Sequence, residues 1–139
     1  MTDWITLEMA CDATATVNTA LECSIQKWQN YTTCTAEQYL AARVEYSNNC
    51  PFSKDDIQPC SLCFIYSYKG CRECPLFLVA GKCTLAGSSY RIALKALGKF
   101  NVTPSVGNFI EFQLKAQRVL ELLLKCRKEK EQHEDTTSL

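Results

Sequence analysis

Histidine is almost missing from this chain of 139 residues: the single one, His133, stands in a densely charged tail. That position excludes Ser-His-Asp and Cys-His pairs from any ordered site, and HExxH zinc sites as well. Glycine (5) and proline (4) are sparse. Neither a GxxxxGK[ST] loop nor a GxGxxG turn occurs, so no backbone cradle for phosphates is expected. No run of about 18 apolar residues is present, which excludes a membrane-spanning helix. Net charge is lacking too, with 15 basic and 15 acidic side chains. The opening residues, MTDWITLEMACDATA, have no apolar stretch of the kind a secretory signal needs. The expected compartment is therefore a reducing cytoplasm, where paired cysteines mean metal or redox chemistry more often than disulfides.

Cysteine is what the chain has in excess, with 10 residues. Half of them fall in CSLCFIYSYKGCRECPLFLVAGKC, from Cys60 to Cys83. Cys60/Cys63 and Cys71/Cys74 each have C-x2-C spacing, which lets the chain curl until two thiolates face one tetrahedral ion. Two such turns supply the four sulfurs of a closed structural zinc site. An iron–sulfur cluster is the alternative, since Cys74-Pro75 matches the C-P that ends ferredoxin ligand runs. Disulfides of a secreted domain are a third reading. The ligand set stays open, because Cys50 and Cys83 are each able to replace a member of the pairs. Lys69-Gly70 offers a chain reversal before the second pair. Phe64, Ile65, Tyr66 and Tyr68 are expected to form a short strand or hairpin arm over the metal. Cys11, Cys23 and Cys34 read as buried free thiols.

The zero net charge is unevenly distributed. Residues 1–59 carry three basic and eight acidic side chains, residues 60–100 six and one, and residues 101–139 six of each. The basic segment coincides with the cysteines. Lys69, Arg72, Lys82, Arg91, Lys95 and Lys99 are candidate phosphate contacts, with Tyr66, Tyr68 or Tyr90 stacking on bases. The charges are scattered, however, and the acidic N-terminal segment would oppose their field, so only weak binding to DNA or RNA is expected.

Elsewhere the pattern is helical. Residues 1–12 suggest a short strand or turn around Trp4, Ile5 and Leu7. From about Asp12 to Asn30, Val17, Leu21, Ser24/Ile25 and Trp28 make one stripe. Tyr31 to Cys34 form a break. Thr35 and Gln38 then fit a capping box for a helix over about 36–47, with Cys50-Pro51 beyond its end. Residues 51–59 read as a polar loop between two prolines. A helix over about 89–100 is expected to bury Ile92, Ala93, Ala96, Leu97 and Phe100 and to expose Arg91, Lys95 and Lys99. A linker at 101–108 leads to a long helix from about 106 to 132, capped by Ser105 or Asn108. Phe109, Phe112, Ala116, Val119, Leu123 and Cys126 form its seam, which is short enough that packing inside the domain is expected over a coiled coil.

Ala20-Leu21-x-x-Ser24-Ile25-x-Lys27-Trp28, followed by C-x-L-C, C-x-x-C-P-L, G-x-C and Ser-Tyr, resembles a group of small cysteine-rich proteins of tailed bacteriophages. The matching residues are Cys60, Leu62, Cys63, Cys71, Cys74, Pro75, Leu76, Gly81, Cys83, Ser89 and Tyr90. The resemblance covers residues 20–100 loosely and departs from the group at Ser88-Ser89-Tyr90, where no proline precedes the tyrosine. It implies a phage origin, the cytoplasm of a bacterial host and a metal site, and it supplies no activity.

The expected protein is thus a single, mainly α domain over 1–139, wrapped around a four-cysteine metal knuckle with at most a short hairpin. A helical pair at 12–49, a cysteine module at 50–87 and C-terminal helices at 88–134 are its parts. Its expected role is that of a non-enzymatic accessory module binding a host or phage protein, as a monomer or dimer away from membranes. Catalysis is not expected. The second half of the zinc deaminase pattern stands at Pro59-Cys60-Ser61-Leu62-Cys63, but its H-x-E half is absent.

Overall fold

A computed structural model describes residues 2–47, 49–51, 53–66 and 89–137. These form a mainly α-helical fold. Thr6 caps a short α1 (Leu7–Asp12) by accepting from the Met9 N–H at 3.2 Å. A 3-10 turn (Ala13–Ala15) leads into α2 (Val17–Thr33). The first segment therefore holds a helix where a strand or turn was expected. The capping box of Thr16 and Thr19 starts α2 at Val17, the first residue of the apolar stripe and several residues after the expected start near Asp12.

Helix α2 also runs through the expected break as far as Thr33. Its extra turn carries Tyr31 into the core, where the ring meets Trp28 and Phe112 edge-on with centroids 5.3 and 5.1 Å away. Its last carbonyls, which have no helical N–H to bind, are met from far along the chain. The Gln113 amide donates to Tyr31 O at 3.1 Å and to Cys34 O at 2.9 Å. The expected Thr35–Gln38 capping box then opens α3 (Ala36–Tyr46), with both of its hydrogen bonds formed.

After the 49–60 segment comes α4 (Ser61–Tyr66). Phe64, Ile65 and Tyr66 were expected in a strand, but they continue a helical turn that starts when Cys63 N–H donates to Cys60 O at 3.1 Å. Curling the chain around a C-x2-C pair leaves the following residues in helical register.

Helix α5 (Ser89–Val102) takes two residues from the expected linker. Asn101 ends up fixed at both ends of its side chain: it accepts from the Tyr39 hydroxyl at 2.7 Å and donates to Asp55 O at 3.3 Å. The buried face of α5 is Tyr90, Ala93, Leu94, Ala96, Leu97 and Phe100. Ile92, expected on that face, is exposed. A short turn capped by Ser105, which accepts from Asn108 N–H at 3.1 Å, joins α5 to α6 (Val106–Thr137).

The full expected seam of α6, Phe109 to Cys126, is buried, and Leu120 and Leu122 widen it. It packs inside the domain against α5 and α2. Arg127 reaches Glu22 of α2 at 3.2 Å, tying the far end of the same contact. Aromatic rings from α2, α3, α5 and α6 fill the centre. Tyr39, for example, lies 5.7 Å from Phe100 and 6.0 Å from Phe109.

Candidate functional site

Ser24, Lys27 and Tyr31 occupy successive turns of one face of α2, at i, i+3 and i+7. The 56–60 segment lies along that face, so all three meet residues of it. Tyr31 meets Asp56 and Ile57, Lys27 meets Asp56, and Ser24 meets Cys60. Residues 51–59 were expected to be a polar loop, yet Asp56, Ile57, Gln58 and Pro59 are all buried, as is Cys60 after them. Their polar groups can be buried because each has a partner, and no buried side-chain nitrogen or oxygen among the described residues lacks one.

The centre of this arrangement is an ion pair sealed from water. Lys27 Nζ and Asp56 Oδ2 are 2.5 Å apart, and both side chains are 0% exposed. Asp56 Oδ1 accepts from the Tyr31 hydroxyl and from Gln58 N–H at 3.1 Å. The Tyr31 oxygen in turn accepts from Ile57 N–H at 3.2 Å. The Lys27 ammonium lies 5.1 Å from the Trp28 ring centroid and 5.3 Å from that of Tyr90. Burial works against its charge, but Asp56, followed by Cys60 and Cys50, outweighs that cost and holds its pKa above the ordinary lysine value. Tyr31 and Tyr90 are pushed well above the tyrosine range, first by burial and then by Asp56.

Amide side chains fasten the rest of the segment. Gln58 donates to Lys27 O at 3.0 Å and accepts from Ile5 N–H at 3.1 Å and from Asn30 at 2.8 Å. Asn49 donates to Ile5 O at 3.0 Å and to Ile57 O at 2.9 Å. Three irregular pieces of backbone are thereby fixed to α2 without a strand ladder.

Cys60 comes at the end of this ladder of contacts. Its Sγ is 3.6 Å from the Ser24 hydroxyl. A hydrogen bond from Cys63 and the nearby Lys27 charge overcome burial and hold its pKa below the usual thiol value. Cys60 thus favours the thiolate, the form that is both nucleophile and metal ligand. Cys23, by contrast, is pushed up to about 11 by burial and by Cys60, and Cys34 to about 11 by burial. Of the expected buried thiols, Cys34 is buried, Cys23 half-buried and Cys11 exposed. Ser61, beside the pair, donates to Ala10 O at 2.8 Å and anchors α4 to α1.

The structure brings Cys60 and Cys63 together on one turn and buries Cys50 in the same segment. Among the described residues, no group of three or more His, Cys, Asp or Glu side chains is placed to hold a metal ion. Cys71, Cys74 and Cys83 lie outside the described residues, as do Tyr68, Lys69, Arg72 and Lys82. Arg91, Lys95 and Lys99 are exposed along α5, and Lys99 is 3.2 Å from Glu111 of α6.

Lys27, Asp56 and Gln58 are the part of the site that the sequence reading missed. One signal for Lys27 was available: a lysine set between Ile25 and Trp28, on the stripe that α2 buries, needs an anion. Nothing comparable marks Asp56, which follows Lys54 and Asp55 in a stretch with the composition of a surface loop. No family model matches the chain, and no curated protein or solved structure is similar to it.

Proposed function

We propose that the chain is a non-enzymatic binding module, stabilised by a zinc ion on cysteine thiolates, that acts on a protein partner. Cys60 and Cys63 supply one pair of sulfurs and Cys71 and Cys74 the second, with Cys50 and Cys83 as the possible substitutes. The observation that carries this reading is the surroundings of Cys60: a buried sulfur beside a serine hydroxyl, a second cysteine and a buried ammonium. Such a setting favours the charged ligand form. A closed four-thiolate site leaves no open coordination position, so it serves structure and not catalysis.

A protein partner is favoured over nucleic acid by the balanced charge and by Val106, Ile110 and Leu114. These recur at four-residue steps on α6 and stay exposed while the opposite face is buried. The resemblance to phage proteins supports a host or phage protein as the partner and an infected bacterial cytoplasm as the setting.

Metal analysis of the native protein tests the centre. About one zinc per chain is expected. Metal-free protein with Cys60, Cys63, Cys71 and Cys74 in disulfides would overturn it, and a brown protein would replace zinc with an iron–sulfur cluster.

A further inference from the structure

Helix α6 carries two seams. The inner one, Phe109 to Cys126, is taken up by α2 and α5. The outer one is Gly107, Ile110, Leu114, Gln117 and Glu121, which recur at alternating steps of three and four residues and are all exposed. That spacing is the one that lets two helices lie along each other. Ile110 is 52% and Leu114 67% exposed, and Val106, at the edge of the seam, is 75% exposed. At Gly107 an added Cβ would meet nothing within 4 Å. Nothing in the chain itself crowds that position, and an exposed helical position ordinarily favours a residue with a side chain. A glycine there admits the close approach of another molecule.

We infer that the outer seam of α6 binds the same seam of a second copy of this chain, antiparallel, in a two-fold dimer. The charges select this occupant. When Ile110 of each copy lies on Leu114 of the other, Gly107 lies opposite Gln117, and Glu121 lies opposite the start of the other α6. A carboxylate there meets the positive end of the helix and its unbonded N–H groups. Along one edge of the seam Glu111 of each copy faces Arg118 of the other, and two-fold symmetry makes that pair twice. A parallel pair would instead set Glu121 against Glu121 within the seam, which like charge opposes. Within one copy Glu111 lies 3.2 Å from Lys99 and Arg118 lies 3.5 Å from Glu121. Both pairs are exposed, so little is lost when their charges turn to a second copy. The apolar part is small, and a dissociation constant of about 10 to 100 µM is expected. The inference rests on the protein-binding reading of this face given above and names the partner.

The test is sedimentation velocity of the full chain under reducing conditions, over a concentration series that spans that range. The sedimentation coefficient is expected to rise from monomer to dimer. Leu114→Lys is expected to weaken association about tenfold or more. Glu111→Arg and Arg118→Glu each set like charges opposite each other at two places, and each is expected to weaken it about three- to tenfold. The Glu111→Arg/Arg118→Glu double variant restores opposite charges across the two-fold axis and is expected to return close to the wild-type constant. All four variants change exposed positions, and circular dichroism checks that each keeps its helices. A monomer throughout the series, a dimer indifferent to Leu114→Lys, or a double variant as weak as its parents would overturn the inference. Metal analysis of the same sample is read separately. A monomer that holds zinc overturns the dimer and leaves the face to a different protein, whereas a metal-free dimer supports the inference and overturns the zinc reading alone.

Discussion

The Tyr31 hydroxyl works in two directions, donating to Asp56 Oδ1 and accepting from the Ile57 N–H at 3.2 Å. A single oxygen thus joins helix α2 to the side chain of one residue and to the backbone of the next. Tyr31→Phe keeps the ring and its contacts with Trp28 and Phe112 but takes one of two donors from Asp56 Oδ1 and orphans the buried Ile57 N–H. The expected loss is about 2 to 4 kcal/mol. Tyr39→Phe, which removes a half-buried bond to Asn101, is expected to cost about 1 kcal/mol. Urea denaturation of the two variants checks the order, and equal losses would contradict it.

The seam of α6 faces inward, so Leu123, 1% exposed, lies in the core of the protein and not at a surface. Leu123→Asp forces a carboxylate into that seam and is expected to unfold the domain, at a cost of about 4 kcal/mol or more. Circular dichroism should register the lost helix. Intact helices together with a smaller particle in light scattering would instead assign the seam to a dimer.

Alkaline pH should unfold the protein through groups that are buried neutral. Cys34 is raised by burial from 9.0 to about 11, and burial raises Tyr31, Tyr39 and Tyr90 as well. A raised folded-state pKa means that the folded protein keeps protons the unfolded chain has released. Stability is then full below about pH 9 and is lost as pH climbs through the folded value. Lys27 is held above the ordinary lysine range, so its pair with Asp56 keeps its charge through that window. Melting temperature should accordingly fall steadily from about pH 9 toward pH 11, less steeply in Cys34→Ala. A curve that stays flat to pH 11 would show these groups to be solvated.

On α5, Lys99 lies 3.2 Å from Glu111 of α6, which offsets part of the basic stripe. Binding of generic DNA or RNA is expected to be weaker than about micromolar at physiological salt. A fluorescence titration would reverse the choice of partner if it gave sub-micromolar affinity, a log–log salt slope near about −3 to −4, and loss of both in an Arg91/Lys95/Lys99 triple alanine variant.

Local chemistry carried the helices into the sequence reading. The Thr35–Gln38 box and the α6 seam were legible because their partners stand three or four residues apart. Ser24, Ile25 and Trp28 were legible as a stripe for the same reason. The far end of α2 was not, since what extends it past Asn30 is Gln113 on α6 and the packing of Tyr31 against Phe112. Nor was the polar half of the site. Asp56 is buried only because Lys27 and Tyr31 await it some 25 to 29 positions away, and composition alone cannot tell such a residue from its exposed neighbour Asp55.

The sealed pair also limits how this chain can drift. Losing Lys27 alone strands a buried carboxylate, and losing Asp56 alone strands a buried ammonium; each intermediate is about 3 to 5 kcal/mol worse, a large share of what a small domain has. Losing both for well-packed apolar groups is close to neutral for the fold. Descendants that keep the pair and descendants that lack it are therefore separated by a step that single substitutions cross at great risk. In a set of relatives, positions 27 and 56 should change together or not at all.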